Sequence, residues 1–527
     1  MNEHKAKRRS WRRGVIGVAV FLAASQWCMA ANADEESGTT SSDSNGNSFH
    51  IGGYLRGWAS FNLKDQPETA SDDKWKASMI RGSALIDMDA NTGAVKWKAV
   101  ARADQEVKTN YLKDLERQRA LNGTNVGGES RDIMDNYNNA RVREAWAEFG
   151  AGDRTTIRLG RQQIVWGESD FFHAMDVVHG YDFSWRLFFE GENEEWRKPL
   201  WLASAKIQVP EAKGQLHVYV RPGLDSCKDI GNTYDIRGGR WFTQPYKGFD
   251  LSAVTNNDCN HPSGKIKDPT GGIRWSGEYD SLNYSFAYVN TFAGDPIANS
   301  AFKPYQKKPT GAFFDIIHPK IDVFGATLSG YSASLDSVLS AEVALTKDQP
   351  FNVGTGTLAA PTIPGNVGLG LGGVKKKDTV TLMLRADKNI NFQDWLGTSR
   401  PSFSSVQLFD TEILKYKESD DLARFFAYAS PFKKRNSILT AFTVLNYRSD
   451  TINPSFAIGT DLNNGGGFYI PAVDFVLGDN WRLKVEADMF WAKKQSKQLL
   501  DADAPGTQIF GWFKNDDQLV FRLTRQF

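Results

Sequence analysis

WRLKVEADMFW, residues 481–491, is the stretch of sequence that decides the fold. Its odd positions, from Trp481 to Trp491, are apolar, and the even positions from Arg482 to Asp488 are charged. Because side chains alternate faces along a strand, this pattern predicts a strand with one apolar and one charged face. Ten steps of about 3.3 Å, tilted by about 40°, rise roughly 25 Å, which is the height of the lipid-facing band of a membrane barrel. A tryptophan lies at each end of the apolar face, and a soluble β-sandwich would not require this arrangement.

The same two-faced alternation recurs along the chain from about residue 50 to the C-terminus. Many two-faced strands leave no unpaired edge only if their sheet closes on itself. We therefore predict an all-β fold, a transmembrane antiparallel β-barrel of about 16–18 strands whose polar face lines the lumen. The apolar faces include Ile51, Leu55, Ala59 and Phe61; Trp97, Ala99, Ala101 and Ala103; Leu339, Ala341, Val343 and Leu345; and Val380, Leu382, Leu384 and Ala386.

The last strand, residues 518–527, resembles the C-terminal signature of outer-membrane barrels, an alternating strand that ends in an aromatic residue. Leu519, Phe521, Leu523 and Phe527 share its apolar face, and Arg525 departs from the pattern on that face. Near the barrel end, an arginine can extend its charged head to the lipid headgroups. The resemblance implies that the barrel-assembly machinery binds this strand and that outer-membrane lipids and lipopolysaccharide surround the barrel.

The N-terminus has the features of an export signal. Basic residues precede a short apolar run at 14–24, and Ala31-Asn32-Ala33 follows as an A-x-A cleavage site. We predict a signal peptide at residues 1–33 and a cell outer membrane location. Residues 34–48 carry no apolar side chain, so we expect a disordered mature N-terminus, followed by the barrel over residues 49–527.

The overall composition excludes several other classes of protein. The chain of 527 residues is 41% apolar and 24% charged, and its mean hydropathy is −0.45. Membrane helices would need several apolar runs of about 20 residues. The formal net charge is +1 and becomes mildly acidic without residues 1–33, so there is no electrostatic case for nucleic acid.

Long connections interrupt the predicted strands at residues 223–270, 295–310 and 349–377. They are too long for periplasmic turns and read as extracellular loops or as loops folded into the lumen. The first connection holds Cys227 and Cys259. In an oxidising compartment, this pair predicts a loop disulfide rather than a metal site.

The run Arg158-Leu159-Gly160-Arg161-Gln162 leads into Val165-Trp166-Gly167-Glu168. Here the chain resembles a family of large Gram-negative outer-membrane proteins labelled a domain of unknown function, whose members carry R-x-G-R-Q-x-x-x-W-G-E. His179-Gly180 stands where that family usually has Asn-Pro, which puts the turn downstream in doubt. The resemblance implies a porin-like barrel associated with the passage of hydrophobic organic compounds.

Residues 167–199 follow this motif and lose the alternation. They are dense in Phe, Trp and acidic residues, too charged to face lipid and too aromatic for a mobile loop, so we predict a constriction packed inside the lumen. Because arginine forks bind carboxylates in pairs, Arg158 or Arg161 is expected to clamp Glu168 or Asp170. Such pairs either hold the segment in place or contact solute directly, and the first role is favoured because buried charges are normally paired.

Basic residues on the predicted strands are further candidates for cations that face the lumen. A basic lining favours anionic solutes, but acidic residues lie on the same strands, and a neutralised, mixed lining is equally compatible. The basic residues are Arg56, Arg81, Lys98, Arg102, Arg141 and Arg143, and the acidic residues are Asp87, Asp89, Asp104 and Glu106.

The functional prediction is a porin-like channel or transporter for small organic molecules, hydrophobic or anionic, without cofactor or metal. The alternative is a barrel enzyme that hydrolyses lipids or esters. Its candidate groups are His173 and His179 with Ser169 or Ser184 and nearby aspartates, although no G-x-S-x-G elbow is present. A soluble, secreted β-sandwich that binds glycans is a third possibility.

Overall fold

The structure, a computed structural model, describes most of the chain from residue 39 onwards. The described ranges are 39–42, 47–66, 68–121, 132–169, 172–187, 193–243, 247–253, 255–256, 268–302, 312–354, 358–359, 366–367, 370–424, 431–492 and 510–527. The predicted signal peptide, Asp170 and Cys259 lie outside these residues.

Eighteen strands among the described residues form one antiparallel sheet. In chain order, they are β1 Ser48–Asn62, β2 Ala77–Thr92, β3 Val95–Glu106, β4 Asn139–Gly150, β5 Thr155–Gln162, β6 Leu200–Val209, β7 Gly214–Arg221, β8 Thr270–Tyr279, β9 Leu282–Phe292, β10 Lys320–Ser332, β11 Ser337–Val353, β12 Gly373–Ile390, β13 Ser402–Ile413, β14 Arg435–Val444, β15 Ile452–Asp461, β16 Gly466–Leu477, β17 Trp481–Ala492 and β18 Gln518–Gln526.

The first and last strands close the sheet. β1 pairs with β18 in a register that runs from Tyr54 opposite Gln526 to Asn62 opposite Gln518. Beyond it, the Gly53 N–H donates to the Phe527 carbonyl at 2.9 Å, and the Phe527 N–H donates to the Gly53 carbonyl at 3.1 Å. The fold is therefore a closed 18-strand antiparallel β-barrel, which confirms the predicted fold class and the upper end of the predicted strand number.

The two faces of the strands have the predicted chemistry. On β17, Trp481 is 41% exposed on the outer face, whereas Glu486 and Asp488 on the inner face are 3% and 0% exposed. Exposed apolar side chains such as Phe286 and Val406 continue this outer face around the barrel. An uninterrupted apolar surface of this size suits a lipid environment rather than water.

Arg525 lies on the same outer face of the barrel, near the end where the chain closes. Its guanidinium carbon is 5.7 Å from the centre of the Trp481 ring. The exception to the C-terminal pattern is thus accommodated by a cation–π contact with the aromatic residue at the rim.

The connections between strands differ at the two ends of the barrel. At the end that holds the start of β1 and the end of β18, they contain two to eleven residues. At the opposite end they are long, except for residues 462–465 between β15 and β16. The α-helices among the described residues are α1 Asn110–Leu121, α2 Asn193–Trp196 and α3 Gln393–Leu396. Within the described part of the chain, no helix is long and apolar enough to cross a membrane.

Shorter elements lie in the connections. The 3-10 helices are Ile133–Asn136, Pro210–Ala212, Cys227–Asp229, Leu251–Ala253, Glu418–Asp420 and Gly511–Phe513, and the short strands are Thr39–Ser42, Thr255–Asn256, Ile297–Asn299, Phe314–Ile317, Leu358–Ala359, Asn366–Val367 and Leu422–Ala423.

Several long connections fold into the lumen and pack against the inner wall. α1, for example, buries Tyr111, Leu112 and Leu115 in one cluster with the wall residues Trp58 and Met79. The hydrophobic core of the protein is therefore inside the barrel, between its wall and these connections.

The prediction of disorder over residues 34–48 was wrong for part of that range. Thr39–Ser42 forms a strand antiparallel to residues 48–51, and β1 already begins at Ser48. The reason is geometric, since this part of β1 extends past the end of β18 and would otherwise leave a row of backbone donors and acceptors unpaired.

Gly53 is the position at which the barrel seam tolerates no side chain. Its φ is +156°, and a Cβ atom there would lie 2.1 Å from the Leu85 carbonyl oxygen. We expect Gly53→Ala to destabilise the barrel by about 1–3 kcal/mol, the usual cost of overpacking. The measurement is the urea concentration at which half of the protein unfolds, with the folded barrel identified by its heat-dependent mobility on gels. Gly57→Ala is the matched control because its Cβ would meet nothing within 4 Å. Equal midpoints for the two variants would contradict this account of the seam.

Candidate functional site

The residues that follow β5 leave the barrel wall and enter the lumen. We call residues 163–199, the connection from β5 to β6, the lumenal segment. Near its start, the Trp166 ring packs edge-on against Tyr219 of β7 at 5.3 Å. Its indole N–H donates to Nδ1 of His217 at 3.1 Å. These contacts fix the beginning of the segment on the inner face of β7.

His179 joins the two ends of the lumenal segment. Its Nε2 accepts a hydrogen bond from the Ile164 N–H at 2.8 Å, and its Nδ1 lies 3.0 Å from the Lys198 carbonyl. A carbonyl only accepts, so the proton is on Nδ1 and the imidazole is neutral. Burial lowers the pKa of His179 to about 4, and the charge of Arg197 acts in the same direction. At neutral pH, His179 is therefore a structural crosslink.

Glu195, on α2, is the acidic residue that docks the segment on the basic part of the wall. Its carboxylate pairs with Arg56 of β1 at 3.2 Å and with Arg102 of β3. The Tyr54 hydroxyl donates to the same carboxylate at 3.0 Å. Arg143 of β4 donates to the Glu195 backbone carbonyl at 3.2 Å. Three of the arginines predicted to line the pore thus converge on one residue of the lumenal segment.

These cations also set the protonation state of Glu195. Burial alone would raise the pKa of the Glu195 carboxyl group, but the charges of Arg102, Arg56 and Arg143 outweigh it and lower the pKa to about 2. The Glu195 carboxylate is therefore charged at neutral pH.

A second ion network lies beside this contact. Arg81 of β2 pairs with Asp104 at 3.0 Å and with Glu106 at 2.9 Å. Arg240, from the β7–β8 connection, binds both oxygens of Glu106 at 2.7 and 2.8 Å and donates to the Trp185 carbonyl at 2.9 Å. Arg81 is thus neutralised, and the mixed lining that was one alternative describes this part of the wall.

The segment is attached at other points around the barrel. Arg186 pairs with Glu486 and, at 3.1 Å, with Asp488 of β17. Across the lumen, the Glu342 carboxylate of β11 accepts from the Met175 N–H at 3.0 Å and from the Glu168 N–H. β1 and β11 lie on opposite sides of an 18-strand barrel, so the described parts of the segment cross the lumen.

Arg158 and Arg161 have partners other than the predicted ones. Arg158 pairs with Glu148 of β4 at 2.6 Å. Arg161 is in register with the exposed Trp201 on the outer face and pairs with Asp229 at 3.1 Å. The expected clamp on Glu168 was therefore wrong for both arginines.

The remaining predicted residues fall into separate places. Lys98 pairs with Asp87 and Asp89 at 2.6 and 2.8 Å, and Arg141 pairs with Asp182 at 3.3 Å. Asp170 is not described. Cys227 lies in a short 3-10 helix, but Cys259 lies outside the described residues, so the disulfide stays a prediction.

Two of the groups considered for hydrolysis, His179 and Ser184, are bound to partners other than each other. Both ring nitrogens of His179 are occupied by backbone groups. The Ser184 hydroxyl donates to Asp182 at 2.6 Å rather than to a histidine. The residues that the structure describes contain no group of three or more potential metal ligands.

The barrel and its occupied lumen define the class of porin-like outer-membrane barrels. The chain belongs to the family described as "Protein of unknown function (DUF1302)", which matches residues 17–509. No curated protein matches the chain.

Solved outer-membrane structures are similar to the chain at low sequence identity. OccAB1 of Acinetobacter baumannii is 12% identical, with a TM-score of 0.44 over 90% of this chain and 96% of that one. OpdK of Pseudomonas aeruginosa is 8% identical, with a TM-score of 0.43 over 91% and 98%. OmpF of Salmonella typhi is 10% identical, with a TM-score of 0.40 over 93% and 100%.

Glu195→Gln should loosen the lumenal segment. The substitution leaves Arg56 buried without its counter-charge, which typically costs about 3–5 kcal/mol, whereas Arg102 keeps Asp104 as a partner at 3.0 Å. We expect faster hydrogen–deuterium exchange over residues 193–199, measured by mass spectrometry. Glu211→Gln is the control, because its ion pair with Arg154 is exposed. Unchanged exchange in Glu195→Gln would contradict the docking role.

The attachment of the segment should weaken in mild acid. A detached His179 takes up a proton near its ordinary pKa of about 6.5, whereas the docked side chain, with its lowered pKa of about 4, does not. Stability is thus lost as the pH falls from about 6.5 towards 4. Exchange over residues 193–199, corrected for intrinsic rates, should rise in this window, and less so in His179→Gln. An identical pH dependence in both proteins would contradict this role of His179.

Proposed function

We propose that the protein is a channel of the outer membrane through which small organic molecules cross, and that the lumenal segment constricts its lumen. The observation that carries the proposal is the crossing itself. A closed barrel encloses a path between two compartments. One connection is held across that path by the ion pairs of Glu195 and Arg186 on one side and by the backbone hydrogen bonds to Glu342 of β11 on the other. Such a segment sets the size and chemistry of what passes.

The charge pattern of the lumen supports an organic rather than a purely ionic solute. The wall of β1–β4 is charged, but Arg56, Arg81 and Arg102 are paired with carboxylates. The wall of β12–β17 contributes apolar side chains to a cluster with Ala174 and Leu187 of the segment. A solute therefore meets a neutralised charged wall on one side and an apolar wall on the other.

The surroundings of the barrel belong to the same proposal. The apolar outer face would contact outer-membrane lipids and lipopolysaccharide, with the long connections on the extracellular side. The C-terminal strand, β18, would be the part that the barrel-assembly machinery recognises. The signal peptide at residues 1–33 would direct the chain to export.

Planar-bilayer recordings test the constriction. The purified wild type should give discrete conductance steps, and replacement of residues 167–199 by a short Gly-Ser linker should increase the step size severalfold, because the obstruction is removed. Glu195→Gln is a smaller change that tests the same constriction if the deletion impairs folding. Its conductance steps should be larger or noisier than those of the wild type. Arg400→Gln, in an exposed ion pair with Asp450, is the control.

Two results would count against the proposal. Silent bilayers from wild-type protein that is folded and heat-modifiable would contradict a channel. Equal conductance with and without residues 167–199 would contradict the constriction.

A further inference from the structure

Three basic residues that the sequence did not single out form a row on the inner wall. Lys206 of β6 is in register with His217 of β7, and His217 is in register with Arg274 of β8. Directly opposed residues on adjacent strands have Cβ atoms about 4.5–5.5 Å apart. The contact of His217 with Trp166 of the lumenal segment shows that the row faces the lumen. We call Lys206, His217 and Arg274 the basic row.

The basic row forms no ion pair within the described residues, unlike Arg56, Arg81 and Arg102 on β1–β3. Within the described residues, neither Lys206 nor Arg274 forms an ion pair, and the buried Nε of Arg274 and Nε2 of His217 have no hydrogen-bond partner. The acidic groups that act on Arg274 are Glu168 and Glu342. Both carboxylate oxygens of Glu342 already accept backbone N–H groups.

The hydrogen-bonding state of His217 follows from its contact with Trp166. An indole N–H can only donate, so Nδ1 of His217 accepts from it and, in the neutral ring, the proton is on Nε2. The free side of the ring therefore presents a donor. Lys206 and Arg274 have only donors as well, so the whole row presents donors and no acceptor. Trp166 acts as a positioning residue for His217.

A row of donors whose positive charges form no ion pair favours an acceptor that is negatively charged. The planar fork of an arginine matches the two oxygens of a carboxylate, and neighbouring donors can bind the same group. We propose that the basic row binds the carboxylate of an organic anion inside the lumen. The inference rests on the proposed function, because a solute reaches the row only through the lumen, and it names the chemical class of that solute.

Binding of benzoate to the full-length protein in detergent, measured by isothermal titration calorimetry, tests the basic row. Benzyl alcohol, which has the same ring without the charge, is the control ligand. We expect benzoate to bind and benzyl alcohol not to bind. Arg274→Gln and Lys206→Gln should each weaken benzoate binding roughly 10-fold, since each removes a charge-assisted hydrogen bond. Arg400→Gln should bind like the wild type.

Lys206 is exposed to the lumen, so Lys206→Gln remains informative if Arg274→Gln does not fold. Absence of benzoate binding by the wild type, or wild-type affinity for benzoate in both variants, would overturn the basic row. Conductance separates this outcome from the proposed function. If the protein conducts but does not bind benzoate, the proposed channel stands and the basic-row proposal fails. If it binds benzoate but gives no conductance steps, the basic-row proposal stands and the proposed channel fails.

Discussion

Backbone hydrogen bonding across the seam between β1 and β18 is the constraint on which the rest of the structure depends. In a hydrocarbon environment every N–H and C=O group needs a partner within the protein, and a sheet supplies one only when it has no edge. The pairs from Tyr54–Gln526 to Asn62–Gln518 and the contact of Gly53 with Phe527 close the last gap. Closure turns one face of every strand outward and encloses the other, which holds the charged side chains.

The enclosed charges are mostly used to hold protein segments in place. Unpaired charges in a confined interior are costly, whereas hydrogen-bonded pairs are tolerated. Arg56, Arg102 and Arg143 meet Glu195, and Arg186 meets Glu486 and Asp488. The wall and the lumenal segment are consequently one ion-paired unit. Lys206 and Arg274 form no ion pair within the described residues, and they are the cations that we propose to bind solute.

The fold could be predicted from alternation because β17 and similar strands carry the pattern over many residues. The strand number was uncertain because short strands such as β5 show only a few alternations. The partners of individual residues were not predictable. The pairing of β7 with β8, which a long connection separates in sequence, brings His217 beside Arg274. On β4, Arg143 is an extra residue in the pairing with β3, and this bulge turns its side chain inward. The sequence shows Glu195 and His179 as an acidic residue and a histidine in an aromatic stretch. It does not show their partners, because these depend on tertiary packing.

The central claim, that the lumenal segment crosses the inside of a closed barrel, is tested most directly by a covalent link between the segment and the wall. Met175 packs on Gly325 of β10 so closely that a Cβ atom at Gly325 would lie 1.8 Å from the Met175 sulfur. Cysteines at both positions, in otherwise folded protein, should form a disulfide under mild oxidation and give a shifted band on gel electrophoresis. Two free thiols that both react with maleimide after oxidation would contradict a segment that crosses the lumen.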